Sequence, residues 1–207
     1  GATGSGKSSL VNALCRFYEI SQGEILLDGV SIQKMSKYDV RRQIAIVQQD
    51  VFLFSGNILD NIRLGNSDLS PEYIELVSQS VNLNTFVDRF SDKYNHNIKE
   101  RGSVLSLGQK QLLSFARALA VDPRILVLDE ATSSIDTETE RHIQNGIKEL
   151  IRGRTSIIIA HRLSTLKYVD KILVLKEGQV KEYGKQKELL QNKGIYWKLC
   201  NLQAENG

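Results

Sequence analysis

The first eight residues read Gly1-Ala2-Thr3-Gly4-Ser5-Gly6-Lys7-Ser8, a complete G-x-x-x-x-G-K-[ST] pattern, and it narrows the possible folds more than any other stretch. Glycines at positions 4 and 6 let the backbone curl until successive N–H groups converge on one point. A helix expected over Ser8–Phe17 would bring the positive end of its dipole to the same point. Lys7 adds a positive charge there, and the Ser8 hydroxyl suits Mg²⁺. Such an assembly fits a chain of phosphates. Its expected ligands are Gly1, Ala2, Thr3, Gly4, Ser5, Gly6, Lys7, Ser8 and Ser9. A loop of this kind follows a strand, yet Gly1 is the first residue. The N-terminal strands and the contacts to a base are therefore expected in a missing N-terminal part.

Composition limits the rest. The 207 residues, 41% hydrophobic and 25% charged, are enough for one globular domain or two small lobes. The net charge is +3, from 27 basic and 24 acidic side chains. Without a long basic run, that excess implies no nucleic-acid partner. Cys15 and Cys200 lack metal-ligand spacing and are expected to be reduced thiols. No signal peptide is visible. No apolar stretch approaches the roughly 18 residues needed to cross a bilayer, so any membrane part is expected on a missing segment or another chain.

The hydrophobic pattern reads as α/β. Ile25–Leu27 and Ile44–Val47 read as strands, with a turn at Asp28-Gly29. From Pro71 to Asp88 the pattern is helical, with Ile74, Val77 and Val81 at spacings of three and four. From Leu105 to Ala120 a stronger helix carries Leu112, Phe115, Ala116 and Leu119 as one apolar stripe. Ile125–Leu128 and Ser156–Ala160 are continuous apolar runs, as expected of strands buried on both faces of a parallel sheet. Lys171–Leu175, Glu177-Gly178 and Gln179–Tyr183 read as a hairpin, followed by a charged helical tail. The expected fold is a mostly parallel core sheet with a helical subdomain. Residues 1–207 are expected to form a single domain truncated at its N-terminus, with 1–54 and 123–207 as core lobe and 55–122 as helical subdomain.

Two further sites follow from strand ends. Asp129 and Glu130 directly follow a buried strand, at the sheet edge where α/β proteins bind ligands. Asp129 suits Mg²⁺, and Glu130 is placed to polarise a water for attack on a terminal phosphate. His161 ends the next apolar run, where a contact to the terminal phosphate is expected.

Leu105-Ser106-Leu107-Gly108-Gln109 resembles the LSGGQ signature of ABC ATPases, and it precedes Asp129 by the interval that family requires. Gln49 looks like the Q-loop glutamine and so an added Mg²⁺ ligand, Ser133-Ser134-Ile135-Asp136 like the D-loop, and His161 like the switch histidine. Glu100-Arg101-Gly102 is similar to the coupling segment of exporters. The resemblance covers essentially the whole chain. It implies the P-loop ABC ATPase fold, with ATP and Mg²⁺ bound and ATP hydrolysed by Glu130, His161, Lys7 and Gln49. It implies a second ABC ATPase domain as partner, paired head to tail so that Leu105–Gln109 act in trans with Asp136 nearby. It further implies a transmembrane domain fused upstream, export across a membrane, and a place at the cytoplasmic face of the cell membrane.

Leu107 departs from the pattern, because the family has glycine there. A leucine adds bulk beside a bound phosphate and restricts a backbone that glycine leaves free. Leu112 stands where relatives often carry arginine. Intact Lys7, Gln49, Asp129, Glu130 and His161 beside a poor signature resemble one half of a heterodimeric exporter, and a homodimer that tolerates Leu107 is the alternative. A soluble family member acting on DNA would need a long coiled coil between Gln49 and the signature, where only a short insert exists. A module that senses ATP without turnover sits poorly with Glu130.

Overall fold

The computed structural model describes residues 4–129, 137–160, 166 and 169–205. The chain divides into two compact units, Gly1–Arg41 with Ile158–Gly207, and Arg42–Ile157.

In the first unit the glycine-rich loop leads directly into α1 (Lys7–Leu14), which ends three residues before the expected Phe17. The reason is a backbone cap that the sequence does not announce. Arg16 adopts a left-handed φ of 51°, its N–H donates to Ala13 O, and the Phe17 N–H donates to Asn12 O. That is a Schellman closure with arginine where glycine is usual. Tertiary bonds hold it there. Arg16 Nη1 donates to the carbonyls of Ile32 and Met35 at 2.9 and 2.7 Å. Arg41, at the end of α2 (Lys37–Arg41), donates to the Cys15 and Arg16 carbonyls at 3.1 and 3.0 Å. Between these helices lies the small hairpin β1 (Leu26–Leu27) and β2 (Val30–Ser31), turned at Asp28-Gly29 as the sequence predicts.

The rest of this unit is the antiparallel hairpin β6 (Ile172–Lys176) and β7 (Gln179–Gly184), covered by α8 (Gln186–Gln191) and α9 (Ile195–Glu205). Ile172, Val174, Leu189 and Tyr196 form its core. The Glu182 carboxylate accepts from the Ile195 and Tyr196 N–H groups at 2.5 and 2.9 Å. A negative group therefore caps the positive end of α9.

In the second unit, β3 (Ile44–Val47) and β4 (Ile125–Asp129) pair in parallel, with Ile44 opposite Ile125 and Val47 opposite Leu128. Both strands are apolar runs, and Leu126, Val127 and Leu128 are buried, as a two-sided parallel strand requires. The chain leaves this unit along β5 (Thr155–Ile159), hydrogen-bonded beside β4.

The helices of this unit gather around α6 (Leu107–Ala120), which packs on α3 (Ile58–Arg63), α4 (Pro71–Ser80) and α7 (Thr137–Ile151). Its stripe of Leu112, Phe115, Ala116 and Leu119 is buried as expected. Each large member contributes about 2–3 kcal/mol by leaving water. The expected helix over 71–88 is broken in two, α4 and α5 (Asn84–Val87). Asn82 takes a φ of 61°, with bonds from Asn82 N to Gln79 O and from Leu83 N to Ser78 O. A second Schellman cap thus interrupts an unbroken apolar period.

Candidate functional site

Gly4 and Gly6 hold φ of +78° and +102°, values that side chains beyond glycine rarely adopt. At Gly4 a Cβ would meet nothing within 4 Å, so conformation alone calls for glycine there. At Gly6 a Cβ would come to 3.4 Å from Gly178 Cα. Gly178 N also donates to Ser5 O at 3.1 Å. The β6–β7 turn thus presses against the loop and fixes one of its carbonyls. The sequence displays that turn at Glu177-Gly178 but nothing of its contact.

The N-cap of α1, Gly6, carries no side-chain cap, and the first turn has no acidic residue. Lys7 Nζ lies 3.4 Å from Ser5 Oγ, and Ser8 and Ser9 are exposed. A helix start without a carboxylate, led by two left-handed glycines and a lysine, is the donor set that a phosphate chain needs. The loop residues described here therefore fit a nucleoside polyphosphate.

In the second unit, the parallel register places the ends of β3 and β4 side by side. Asp129 is the last residue of β4, and Gln49 lies two residues beyond Val47, the last of β3. Both reach the C-terminal edge of the same strand pair, where open α/β sheets take ligands. Gln49 is exposed and Asp129 half-buried. An amide oxygen and a carboxylate are the hard oxygen ligands that suit Mg²⁺.

The signature segment opens α6. Ser106 is the N-cap, and its hydroxyl accepts from Gln109 N at 3.3 Å. The Gln109 amide oxygen accepts from Ser106 N at 3.0 Å. This reciprocal capping box engages the Ser106 N–H, while the Ser106 hydroxyl proton remains a donor for an anion. Gly108 and Leu105 are both buried, Leu105 at 6% exposure. Leu107 is the first helical residue and lies outside the positive-φ set. The expected backbone restriction at this position does not arise, since a helical φ suits leucine. What remains is bulk, a side chain 46% exposed at the mouth of the helix.

Just upstream, Gly102 has a φ of +62°, and a Cβ there would lie 2.6 Å from Leu53 Cδ1. The Glu100-Arg101-Gly102 segment is thus seated on the stretch that follows Gln49. Residues 56–58 also join 96–98, through Ile58 N to His96 O (3.2 Å) and Ile98 N to Gly56 O (2.9 Å).

Sequence reasoning passed over the polar cluster behind this stretch. Asn61, 1% exposed, accepts from Phe54 N and donates to Phe54 O and Asn57 O, all at 2.9 Å. Arg117 on α6 donates to Asn61 O and Phe52 O at 2.9 Å and to Asn61 Oδ1 at 3.1 Å. Burial lowers the Arg117 pKa from its ordinary value. The available signal was an arginine set among the alanines and leucines of a helix buried almost all round.

Gly1, Ala2, Thr3, Glu130, Asp136 and His161 lie outside the described residues.

The sequence pattern of the ABC transporter family matches residues 1–133. The chain belongs to this family and is its nucleotide-binding domain, with the P-loop ABC ATPase fold. It is 49% identical, over 98% of its length, to the uncharacterized ABC transporter ATP-binding protein YknV of Bacillus subtilis strain 168, of which it covers 34%. It is 43% identical, over 98% of its length, to an ATP-dependent lipid A-core flippase of Legionella pneumophila strain Paris, again covering 34%. A solved bacterial Atm1-family ABC exporter with ATP bound matches 99% of the chain at a TM-score of 0.90 and 38% identity, with 36% of that exporter covered. The chain thus spans about a third of each of these relatives. Among the described residues, no helix is long and apolar enough to cross a membrane.

Proposed function

We propose that this chain hydrolyses ATP and that the full protein uses the cycle to export a substrate across a membrane. The observation that supports the reading is the β3–β4 edge, where Val47 pairs with Leu128 and both Gln49 and Asp129 follow within two residues. The loop residues 1–9 would hold the phosphate chain through backbone N–H groups, with Lys7 on the outer phosphates and the Ser8 hydroxyl facing the metal. Mg²⁺, held by Ser8, Gln49 and Asp129, would supply positive charge to the phosphate oxygens. Glu130 would orient and deprotonate the attacking water, and His161 would donate to the terminal phosphate. In this reading residues 55–122 form the helical subdomain, and 1–54 with 123–207 the core lobe.

The signature would act on a nucleotide held by a second ABC ATPase domain, because Ser106 and the start of α6 offer donors and a positive dipole end. ATP would join the two domains and hydrolysis would part them, driving membrane helices between two states. A transmembrane domain fused upstream fits relatives of whose length this chain spans about a third, and it would hold this domain at the cytoplasmic face. The exposed Leu107 favours a heterodimer, in which this chain hydrolyses ATP against its partner's good signature and presents a poor one in return.

The test is ATP turnover by the full-length protein in membranes, expressed alone and with its neighbouring-gene partner. Glu130→Gln should abolish turnover while ATP stays bound, and unchanged turnover would refute the base assignment. Activity only with the partner supports the heterodimer, and full activity alone makes it a homodimer.

A further inference from the structure

The turn between β6 and β7 has two residues, Glu177 and Gly178, with Lys176 paired to Gln179 across it. Both turn residues are left-handed, at φ of 53° and 72°, as a type I′ hairpin requires. The strand ladder makes no use of the N–H of the second turn residue, which in an isolated hairpin would meet water. Here the Gly178 N–H donates instead to Ser5 O at 3.1 Å, in a glycine-rich loop far away in the chain. Glycines on both sides allow this approach, since a Cβ on Gly6 would lie 3.4 Å from Gly178 Cα. The hairpin is braced from its inner face, where Ile172 and Val174 pack on Leu189 and Tyr196.

The consequence lies on the far side of the bonded peptide. The Ser5 C=O and the Gly6 N–H belong to one trans peptide and point in opposite directions. With the carbonyl fixed on Gly178, the Gly6 N–H points away from the turn. The Gly6 carbonyl is engaged as well, accepting from Leu10 N at 3.0 Å. Because glycine accepts either sign of φ, the Ser5–Gly6 peptide can turn over at little cost unless something holds it. Turned over, it would offer a carbonyl oxygen to a phosphate chain in place of an N–H, and attraction would become repulsion.

We propose that Gly178 is a positioning residue for nucleotide binding, whose backbone N–H, through Ser5 O, holds the Ser5–Gly6 peptide with its N–H toward the phosphates. This rests on the reading that the glycine-rich loop holds a nucleoside polyphosphate.

The test uses full-length protein in lipid nanodiscs. It reads the Mg²⁺–ADP Kd by equilibrium binding, with ATP KM, kcat and thermal midpoint alongside. A glycolate unit in place of Gly178 exchanges the N–H for an ester oxygen and keeps the freedom of the turn. Gly178→Val and Gly178→Asn keep the N–H and differ in their tolerance of a left-handed φ, which asparagine accepts and a β-branched residue resists. A Cβ at this position would meet nothing within 4 Å. Val174→Ala loosens the hairpin from its inner face without touching the loop. The glycolate and valine forms are expected to raise Kd and KM about fivefold, with kcat at saturating ATP little changed. Gly178→Asn and Val174→Ala should stay within about twofold of native Kd, although Val174→Ala lowers the midpoint. An unchanged Kd in the glycolate form would overturn the proposal, and that form carries the test alone if the valine variant does not fold. A rise in Gly178→Asn equal to that in Gly178→Val would overturn it by assigning the effect to bulk. An equal rise in Val174→Ala would overturn it by assigning the effect to hairpin stability. Native protein that binds no ADP would overturn both this proposal and the functional reading, whereas the other failures leave that reading standing.

Discussion

Replacing Gly102 with alanine adds one methyl group and meets two separate penalties. The backbone at φ +62° disfavours any residue with a Cβ by about 1–2 kcal/mol. The new Cβ would also lie 2.6 Å from Leu53 Cδ1, with Leu53 Cβ and Cγ at 3.6 Å. Leu53 is 1% exposed, so it cannot relieve the contact by swinging into solvent, and overpacking of this kind costs about 1–3 kcal/mol. The total is about 2–5 kcal/mol, which for a domain of this size lowers the thermal midpoint by about 5–15 °C. Leu53→Ala alone costs about 2–5 kcal/mol through the cavity it leaves. In the double variant the clash is gone and only the backbone and residual cavity terms remain. The double variant should therefore be more stable than the sum of the single losses predicts, by about 1–3 kcal/mol. Calorimetry of the full-length protein, following the transition of this domain, measures all four corners of the cycle. Losses that add to within about 0.5 kcal/mol would refute the steric argument. They would leave the left-handed backbone as the sole reason for glycine.

Two further outcomes follow from the first unit. Cys15 is 2% exposed, and burial raises its thiol pKa although the charge of Arg41 pulls the other way. Maleimide should label Cys15 at least about tenfold more slowly in the native protein than in guanidinium, as read by peptide mass spectrometry; equal rates would contradict the packing around α1. The Tyr196 phenol is pushed up to about 12, by burial first and then by the neighbouring Cys200. An unfolded tyrosine titrates near pH 10, so the folded state binds the extra proton between about 10 and 12. The stability linked to Tyr196 is thus complete below pH 10 and lost as pH rises through that window. Denaturation midpoints of native protein and Tyr196→Phe should diverge in slope there, and parallel curves would count against a buried phenol.

Local chemistry was legible where residues close in sequence act together. The glycine-rich loop, the Ser106-to-Gln109 start of α6, the Asp28-Gly29 turn and the apolar runs of β3 and β4 are each short stretches whose conformation their own side chains dictate. The strand end at Asp129 was readable for the same reason, since charge directly after a buried run must lie at a sheet edge. By itself, then, the sequence determined the class of fold, the phosphate loop and the order of the motifs.

Only the tertiary structure decided where helices stop without a glycine and which distant segments touch. Arg16 ends α1 in a left-handed cap because its guanidinium reaches the Ile32 and Met35 carbonyls, an energy that no local propensity contains. Leu107 is harmless to the backbone because α6 already gives it a helical φ. The seats of Ser5 on Gly178, of Gly102 on Leu53 and of Phe52 on Arg117 join residues far apart in the chain. A pattern of apolar and polar residues fixes which face of an element is buried, but not which partner it meets. Here close packing and the pairing of most buried polar groups made that choice.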